Sequence, residues 1–228
     1  MQNEKHIVIF SHGFGVAKDD RGLLSGPMGV AEMLQENGIE TFLFDYNNVD
    51  VVNNTITATP LSIQAQMLSK NISEIREQNP DAIIDIIAHS QGCLIPAMVK
   101  PANIRKIIFL APSLDVNNQR MIDLFKNHPD TKINTEGVSV LGRRDGTITF
   151  VPSLYWGERE KTVPIPLYNA LAENTEITII KASDDNVLGD LKIDGLSDKI
   201  KFTSLPGDHQ FNGESRAGLL EKIKEIIL

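Results

Sequence analysis

Ser90 sits where a serine can be made reactive. Ile83-Ile84-Asp85-Ile86-Ile87 has the apolar, β-branched character of a buried strand, and it ends abruptly in Ala88-His89-Ser90-Gln91-Gly92-Cys93, followed by a helical pattern. A sharp strand-to-helix turn lifts a serine Oγ clear of a sheet, and small residues two before and two after it let strand and helix pass closely. Here they are Ala88 and Gly92. Glycine is the commoner occupant of the first place, but the single methyl of alanine preserves the steric argument.

A second segment complements the first. Ser11-His12-Gly13-Phe14-Gly15 closes the first apolar run, where the backbone N–H of Phe14 could join that of Gln91 as an oxyanion hole for a tetrahedral intermediate. Gly13 permits the close backbone approach this needs. The same glycines begin like a dinucleotide-binding G-x-G-x-x-G, yet Lys18 occupies the third glycine position and Asp45 lies well beyond the about 20 residues at which a ribose-binding acid is expected. A structural turn is the other reading of this loop, with His12 holding it in place.

A serine needs a base, and a histidine base needs an orienting carboxylate. Asp184 and Asp185 follow one apolar run, and His209, in Pro206-Gly207-Asp208-His209, follows the next. Both places are carboxyl ends of strands, where parallel sheets present their functional loops. Ser90, Asp185 and His209 then follow the chain order Ser, Asp, His, one of three known triad orders. Metal chemistry has less support: the five histidines show no His-Glu-x-x-His spacing, and a lone Cys93 excludes a Cys-x-x-Cys pair. No phosphate-binding G-x-x-x-x-G-K-[ST] loop is present. Cys93 reads as a small buried residue and His89 as a packing residue.

These residues require a scaffold that gathers strand ends on one edge. Apolar runs at Ile7–Phe10, Thr41–Phe44, Ile83–Ile87, Ile107–Leu110, Ile177–Ile180 and Ile200–Phe202 suit strands buried on both faces of a parallel sheet. Leu61, Ala65, Leu68, Ile72 and Ile75 trace a crossover helix, with Thr59 as N-cap and Pro60 as its first residue. Leu219, Leu220, Ile223, Ile226 and Ile227 trace a last helix. The expected fold is α/β: a three-layer sandwich around a mostly parallel sheet of about six strands. Residues 1–228 form one domain on this reading, interrupted by an insertion at about 114–172 that is too long for an ordinary connection.

Inside the insertion, Val138–Leu141 and Thr147–Phe150 flank Arg144-Asp145-Gly146, a hairpin signal. Phe150, Tyr155, Trp156 and Tyr168 cluster in its second half. They read either as a lid over an apolar pocket, with Phe150, Tyr155 and Trp156 touching substrate, or as a hairpin packing its own small core.

Composition narrows the partners. Twenty-two Lys and Arg against 30 Asp and Glu give a net charge of −8, which repels nucleic acid and anionic membrane surfaces. The single cysteine cannot form an intrachain disulfide, no leader pattern precedes Ile7, and no stretch approaches the ~20 apolar residues of a membrane span, so a cytoplasmic location is expected.

From Ile7 to the final helix the chain resembles the α/β-hydrolase superfamily. Within it, Ser11-His-Gly-Phe-Gly, Ala88-His-Ser-Gln-Gly, the hairpin insertion and Pro164-Ile-Pro-Leu-Tyr168 are similar to small serine esterases of the cinnamoyl and feruloyl esterase type. The resemblance implies Ser90 as nucleophile, His209 as general base, Asp185 as its orienter, and Phe14 and Gln91 as oxyanion donors. It favours Asp185 over Asp184 because the acid commonly follows three residues after a small residue, here Ala182. The two antiparallel strands that usually begin the family sheet are missing from the pattern. The expected function is hydrolysis of small-molecule carboxylic esters through an acyl-enzyme, without cofactor or metal. Thioester or amide hydrolysis and acyl transfer share the same machinery, and a binding protein that has lost catalysis is the alternative from another class.

Overall fold

In the computed structural model, which describes residues 4–189 and 193–228, the apolar runs become strands because side chains alternate between two buried faces. Met1 to Asn3, read above for a leader, lie outside the described residues. The first half of the chain runs β1 (His6–Ser11), α1 (Val30–Glu36), β2 (Glu40–Phe42), β3 (Asn48–Asp50), β4 (Thr55–Thr57), α2 (Leu61–Gln78) and β5 (Ile83–His89). A 3₁₀ turn at Ser90–Cys93 leads into α3 (Leu94–Val99), β6 (Lys106–Leu110) and α4 (Asn118–Phe125). Then come β7 (Val138–Gly142), β8 (Ile148–Pro152), α5 (Ser153–Lys161), α6 (Pro164–Leu171), β9 (Glu176–Ala182), β10 (Ile200–Leu205) and α7 (Ser215–Ile227).

The main sheet has the order β10-β9-β6-β5-β1-β2, and every neighbouring pair in it is parallel. Among the described residues no antiparallel strand extends it. Along β1, Ile7 and Ile9 enter one apolar cluster while Val8 and Phe10 enter the other; β6 divides Ile107 and Phe109 from Ile108 and Leu110 in the same way. Helices α2, α3 and α6 cover the first face through Leu61, Leu68, Leu94, Ile95 and Leu171. Helices α1 and α7 cover the second through Val30, Leu34, Leu219 and Ile223, which completes three layers. Asp85 interrupts the apolar β5 without leaving a bare charge, because Arg105 Nε, His6 Nε2 and the Lys106 N–H all reach its carboxylate.

Two of the boundaries that differ from the sequence pattern have a clear local cause. Helix α2 starts at Leu61, and Pro60 is its N-cap with φ −54° and ψ 148°, an extended conformation outside the helix, though its carbonyl accepts Gln64 N at 3.0 Å. Strand β2 stops at Phe42, because Phe44 turns away to stack edge-on against Tyr46 at 4.8 Å.

The hairpin in the insertion is present, with β7 antiparallel to β8 and Val140 opposite Phe150. Its turn closes through Gly146 N to Arg143 O at 3.0 Å, and Gly146 takes φ +81°. It is half of a second sheet, β3-β4-β8-β7, in which β4 runs parallel to β8. Three-residue polar strands such as Asn48–Asp50 carry too few alternations to register as a pattern. Tyr155, Trp156 and Tyr168 pack into the same apolar cluster as the main sheet, Tyr168 lying 5.0 Å from the Phe109 ring.

Candidate active site

The turn after β5 is built for close contact. Ser90 adopts φ +54°, a left-handed conformation that is unfavourable for a residue with a Cβ and is held only where the surroundings demand it. Those surroundings include Gly92: a Cβ there would lie 2.3 Å from His12 O and 2.5 Å from Ser11 O, so only glycine lets the helix start pass the end of β1. Ser11 Oγ locks the crossing by donating to Gly92 O at 2.8 Å. Ala88 is fully buried, its methyl group accommodated.

The loops after β9 and β10 meet this serine. His209 Nε2 is 2.9 Å from Ser90 Oγ, and His209 Nδ1 is 2.7 Å from Asp185 Oδ2. The other Asp185 oxygen accepts the backbone N–H groups of Val187 and Leu188, which fixes the carboxylate. Burial raises the pKa of Asp185, but the His209 hydrogen bond and these N–H groups outweigh it and leave it below the ordinary carboxylate value. For His209, burial outweighs the Asp185 bond, so its pKa lies below the ordinary histidine value of 6.5. The neutral ring then donates from Nδ1 to Asp185 and accepts the Ser90 O–H at Nε2. Asp184 is exposed and accepts instead from Ser183 Oγ.

The base loop is tied down from inside. Asp208 accepts the N–H groups of Gln210 and Asn212, and buried Arg216 of α7 donates to the carbonyls of Phe211 and Gln210.

His89 does more than the packing read from the sequence. Its Nε2 donates to His209 O at 2.9 Å, and its Nδ1 meets Asp20 Oδ2 at 2.7 Å, both side chains being 1% exposed. Burial lowers the pKa of His89, but the Asp20 charge and hydrogen bond outweigh it, so the ring is held protonated above the ordinary value. Burial raises that of Asp20, and His89 with the Gly13 N–H outweighs it, holding the carboxylate well below its usual range. Asp20 Oδ2 also accepts Gly13 N at 2.7 Å, so one buried ion pair joins the loop after β1, the serine turn and the histidine loop. Neither partner was legible in the chain, since they lie 69 positions apart. His12 holds its loop as expected: its Nε2 accepts Tyr46 N at 2.9 Å, which leaves Nδ1–H to donate to Gly13 O. Burial pushes the Cys93 thiol pKa up, as suits a buried apolar residue.

A cavity of about 440 Å³ is lined by Ser90 together with Gly13, Phe14 and Gln91. Phe14, Met121, Leu124, Phe125 and Val187 provide its apolar wall. Three side chains expected to touch substrate stand elsewhere. Tyr155 is buried behind Phe14, 5.2 Å from that ring, and its hydroxyl donates to Gln91 Oε1 at 2.5 Å. Trp156 is buried and donates from Nε1 to Ser139 Oγ. Phe150 belongs to β8 and is not among the residues that line the cavity. The wall comes instead from α4, where Met121, Leu124 and Phe125 at i, i+3 and i+4 carried a helical signal that would have found it.

Residues 1–140 match the family described as "Alpha/beta hydrolase of unknown function (DUF900)", more than half of the chain. The chain belongs to this family. Its fold is the α/β-hydrolase fold. It is similar to Est1E from Butyrivibrio proteoclasticus with ferulic acid bound, at 17% identity and a TM-score of 0.68 over 98% of this chain and 88% of that one. The esterase domain of a Rhodothermus marinus protein aligns at 13% identity and 0.66, over 99% and 88% of the two chains. A monoacylglycerol lipase of Paleococcus ferrophilus aligns at 14% and 0.63, over 97% and 93%. No curated protein matches the sequence. Among the described residues no helix of this DUF900 protein is long and apolar enough to cross a membrane.

Proposed function

We propose that this DUF900 protein is a serine hydrolase of carboxylic esters that works through an acyl-enzyme. The reading rests on one observation, the hydrogen-bonded series Ser90 Oγ, His209 Nε2, His209 Nδ1 and Asp185 Oδ2 at 2.9 and 2.7 Å beneath an open cavity. Solved structures of the same fold that are named esterases and a lipase support it.

In the first half-reaction His209 Nε2 takes the Ser90 proton as Oγ bonds to the acyl carbon. The Phe14 and Gln91 N–H groups receive the developing oxyanion, and Gly13, whose own N–H is engaged by Asp20, sets the approach of this loop. The carbon to alkoxy-oxygen bond breaks, the alcohol leaves with the proton from His209, and an ester to Ser90 remains. Water then gives its proton to His209, attacks the acyl carbon, and Ser90 departs with that proton, releasing the acid. Asp185 keeps Nδ1–H aimed at itself throughout and stabilises the transient imidazolium. Tyr155 acts one step back, holding the Gln91 side chain so that its backbone stays in register.

Residues 114–172 act as a lid in this scheme, with α4 forming the acyl or alcohol pocket. The substrate is a small ester, no cofactor takes part, and the single cysteine suits a cytoplasmic enzyme. Labelling with a fluorophosphonate followed by peptide mass spectrometry tests the reading without a substrate guess. The expected result is a label on Ser90 that is absent from heat-denatured protein and from His209→Ala. No label on native protein, or one that persists in His209→Ala, overturns it.

A further inference from the structure

An ester pocket needs apolar walls, yet five arginines line this one: Arg21, Arg120, Arg143, Arg144 and Arg159. The whole chain carries a net charge of −8, so this concentration of cations is local. Several of the charged groups around the cavity are already engaged. Arg21 pairs with Asp145 at 3.1 Å, Arg120 donates to Val187 O, and Asp20 is engaged by His89. Asp115 and Asp208 also line the cavity, but their carboxylates accept backbone N–H groups in their own turns.

Arg143 is different. Its Nε donates to Thr149 Oγ1 at 2.7 Å and its Nη2 to Phe14 O at 3.2 Å, which uses two of its five donors. Among the described residues no carboxylate bonds to it. The guanidinium lies 5.3 Å from the Phe14 ring centroid and 5.2 Å from that of Phe125, so aromatic faces fix its plane beside the cavity. Burial, with Arg21 nearby, pulls its pKa down to about 10 and outweighs the opposing pull of Asp145 and Asp20, so its charge is incompletely compensated. Arg159, further along the same cavity, is 7% exposed, donates only from Nη1 to Val116 O and Asn118 Oδ1, and leaves Nε without a partner.

We propose that Arg143, supported by Arg144, is a carboxylate-binding subsite, and that the preferred ester carries a free carboxylate on its acyl or alcohol part. A planar guanidinium with unused N–H donors recognises a carboxylate edge-on through two parallel hydrogen bonds. A single guanidinium to which no carboxylate is hydrogen-bonded among the described residues suits a monoanion. The Arg143 bond to Phe14 O places the subsite next to the residue whose N–H is assigned to the oxyanion, so a short chain between carboxylate and ester reaches both. The choice of bond cleaved rests on the ester-hydrolase reading; binding of the anion does not.

The test compares monomethyl glutarate with its neutral partner dimethyl glutarate. Wild-type kcat/KM is expected to favour the monoester by about 10-fold or more, the scale of a charge-assisted pair. Arg143→Met should collapse that ratio, and Arg143→Lys should retain part of it because the charge remains. Arg144→Gln alters an exposed side chain and keeps the test alive if Arg143→Met does not fold; it should lower the ratio by about 2- to 3-fold. Equal turnover of both esters, or a ratio unmoved by the Arg143 and Arg144 variants, overturns the subsite and leaves the esterase reading standing. If neither ester is turned over and Ser90 takes no fluorophosphonate, the esterase reading fails instead. Calorimetric titration of Ser90→Ala protein with the two compounds then decides the subsite: tighter binding of the monoester that Arg143→Met abolishes sustains it, and equal or absent binding of the two overturns it.

Discussion

Replacing Asp20 with asparagine should destabilise the protein by an amount that depends on pH in a defined way. Asparagine keeps the shape and an oxygen that can accept Gly13 N, so the change removes mainly the charge facing His89 Nδ1 at 2.7 Å. Taking one partner from a buried ion pair costs about 3 to 5 kcal/mol, because the other charge is left without compensation. With an m-value of about 3 kcal/mol/M in urea, the midpoint should fall by about 1 to 2 M. The pH dependence has two limbs. The pKa of His89 is raised above 6.5, so its contribution is complete below about pH 6.5 and is lost as pH rises through the folded-state value. That of Asp20 is depressed below 3.8, so its contribution is complete above about pH 4 and is lost as pH falls through the folded-state value. The gap between wild type and Asp20→Asn is therefore widest between about pH 4 and 6.5 and narrows as pH rises through the folded-state value of His89. Urea titrations of both proteins at pH 5.5 and 9 measure it. In the double variant with His89→Gln the loss should be smaller than the sum of the single losses, since the stranded cation is gone. Equal midpoints at pH 5.5, or a gap that widens as pH rises from 5.5 to 9, would refute a charged pair.

Activity should rise with pH through a midpoint below 6.5 and then level off, because the base must be unprotonated and the pKa of His209 lies below its ordinary value; a kcat/KM profile with its acid limb above pH 7 contradicts this. Ser90→Ala and His209→Ala should each lower kcat by on the order of 10⁴ or more, measured on any ester that the wild type turns over. Gly92→Ala forces a methyl group to within 2.5 Å of two carbonyl oxygens, so thermal unfolding should show a loss of about 3 kcal/mol or more, or no folded protein. Trp156→Phe should lower Tm through the lost bond to Ser139 and a smaller ring, about 1 to 3 kcal/mol, while the ratio of aryl to alkyl ester turnover stays put.

Much of this architecture is legible in the chain because the signals are local. Buried parallel strands read as unbroken apolar runs, and Ser90, Asp185 and His209 each follow one, so strand ends and loop residues identify each other without tertiary knowledge. The same logic explains why β3 and β4 leave no pattern in the sequence: three residues do not complete two alternations, and β4 is held by pairing with β8, about 90 positions away, while β3 pairs only with β4. Proline at position 60 carried a helix-start signal, but a residue whose ψ is extended can only precede the helix.

The cavity wall is hidden in the sequence for a deeper reason. Large aromatics in an insertion suggest substrate contact, yet a tryptophan and a tyrosine bury more area by joining an existing core than by lining a wet cleft, and both have a polar atom that finds a partner inside, Ser139 for Trp156 and Gln91 for Tyr155. What remains for the cleft is what the core cannot use: the shorter apolar side chains of α4, and arginines whose charge must stay near water or an anion. Composition records those arginines only as part of a negative total. Their meaning arises when folding brings the hairpin turn at Arg143 against the Phe14 loop, 129 positions earlier, and leaves guanidinium donors unused on the wall of the cavity that Ser90 also lines. Chemistry at strand ends can thus be read from sequence, whereas the preference of the pocket is a property of contacts that exist only once the insertion has docked.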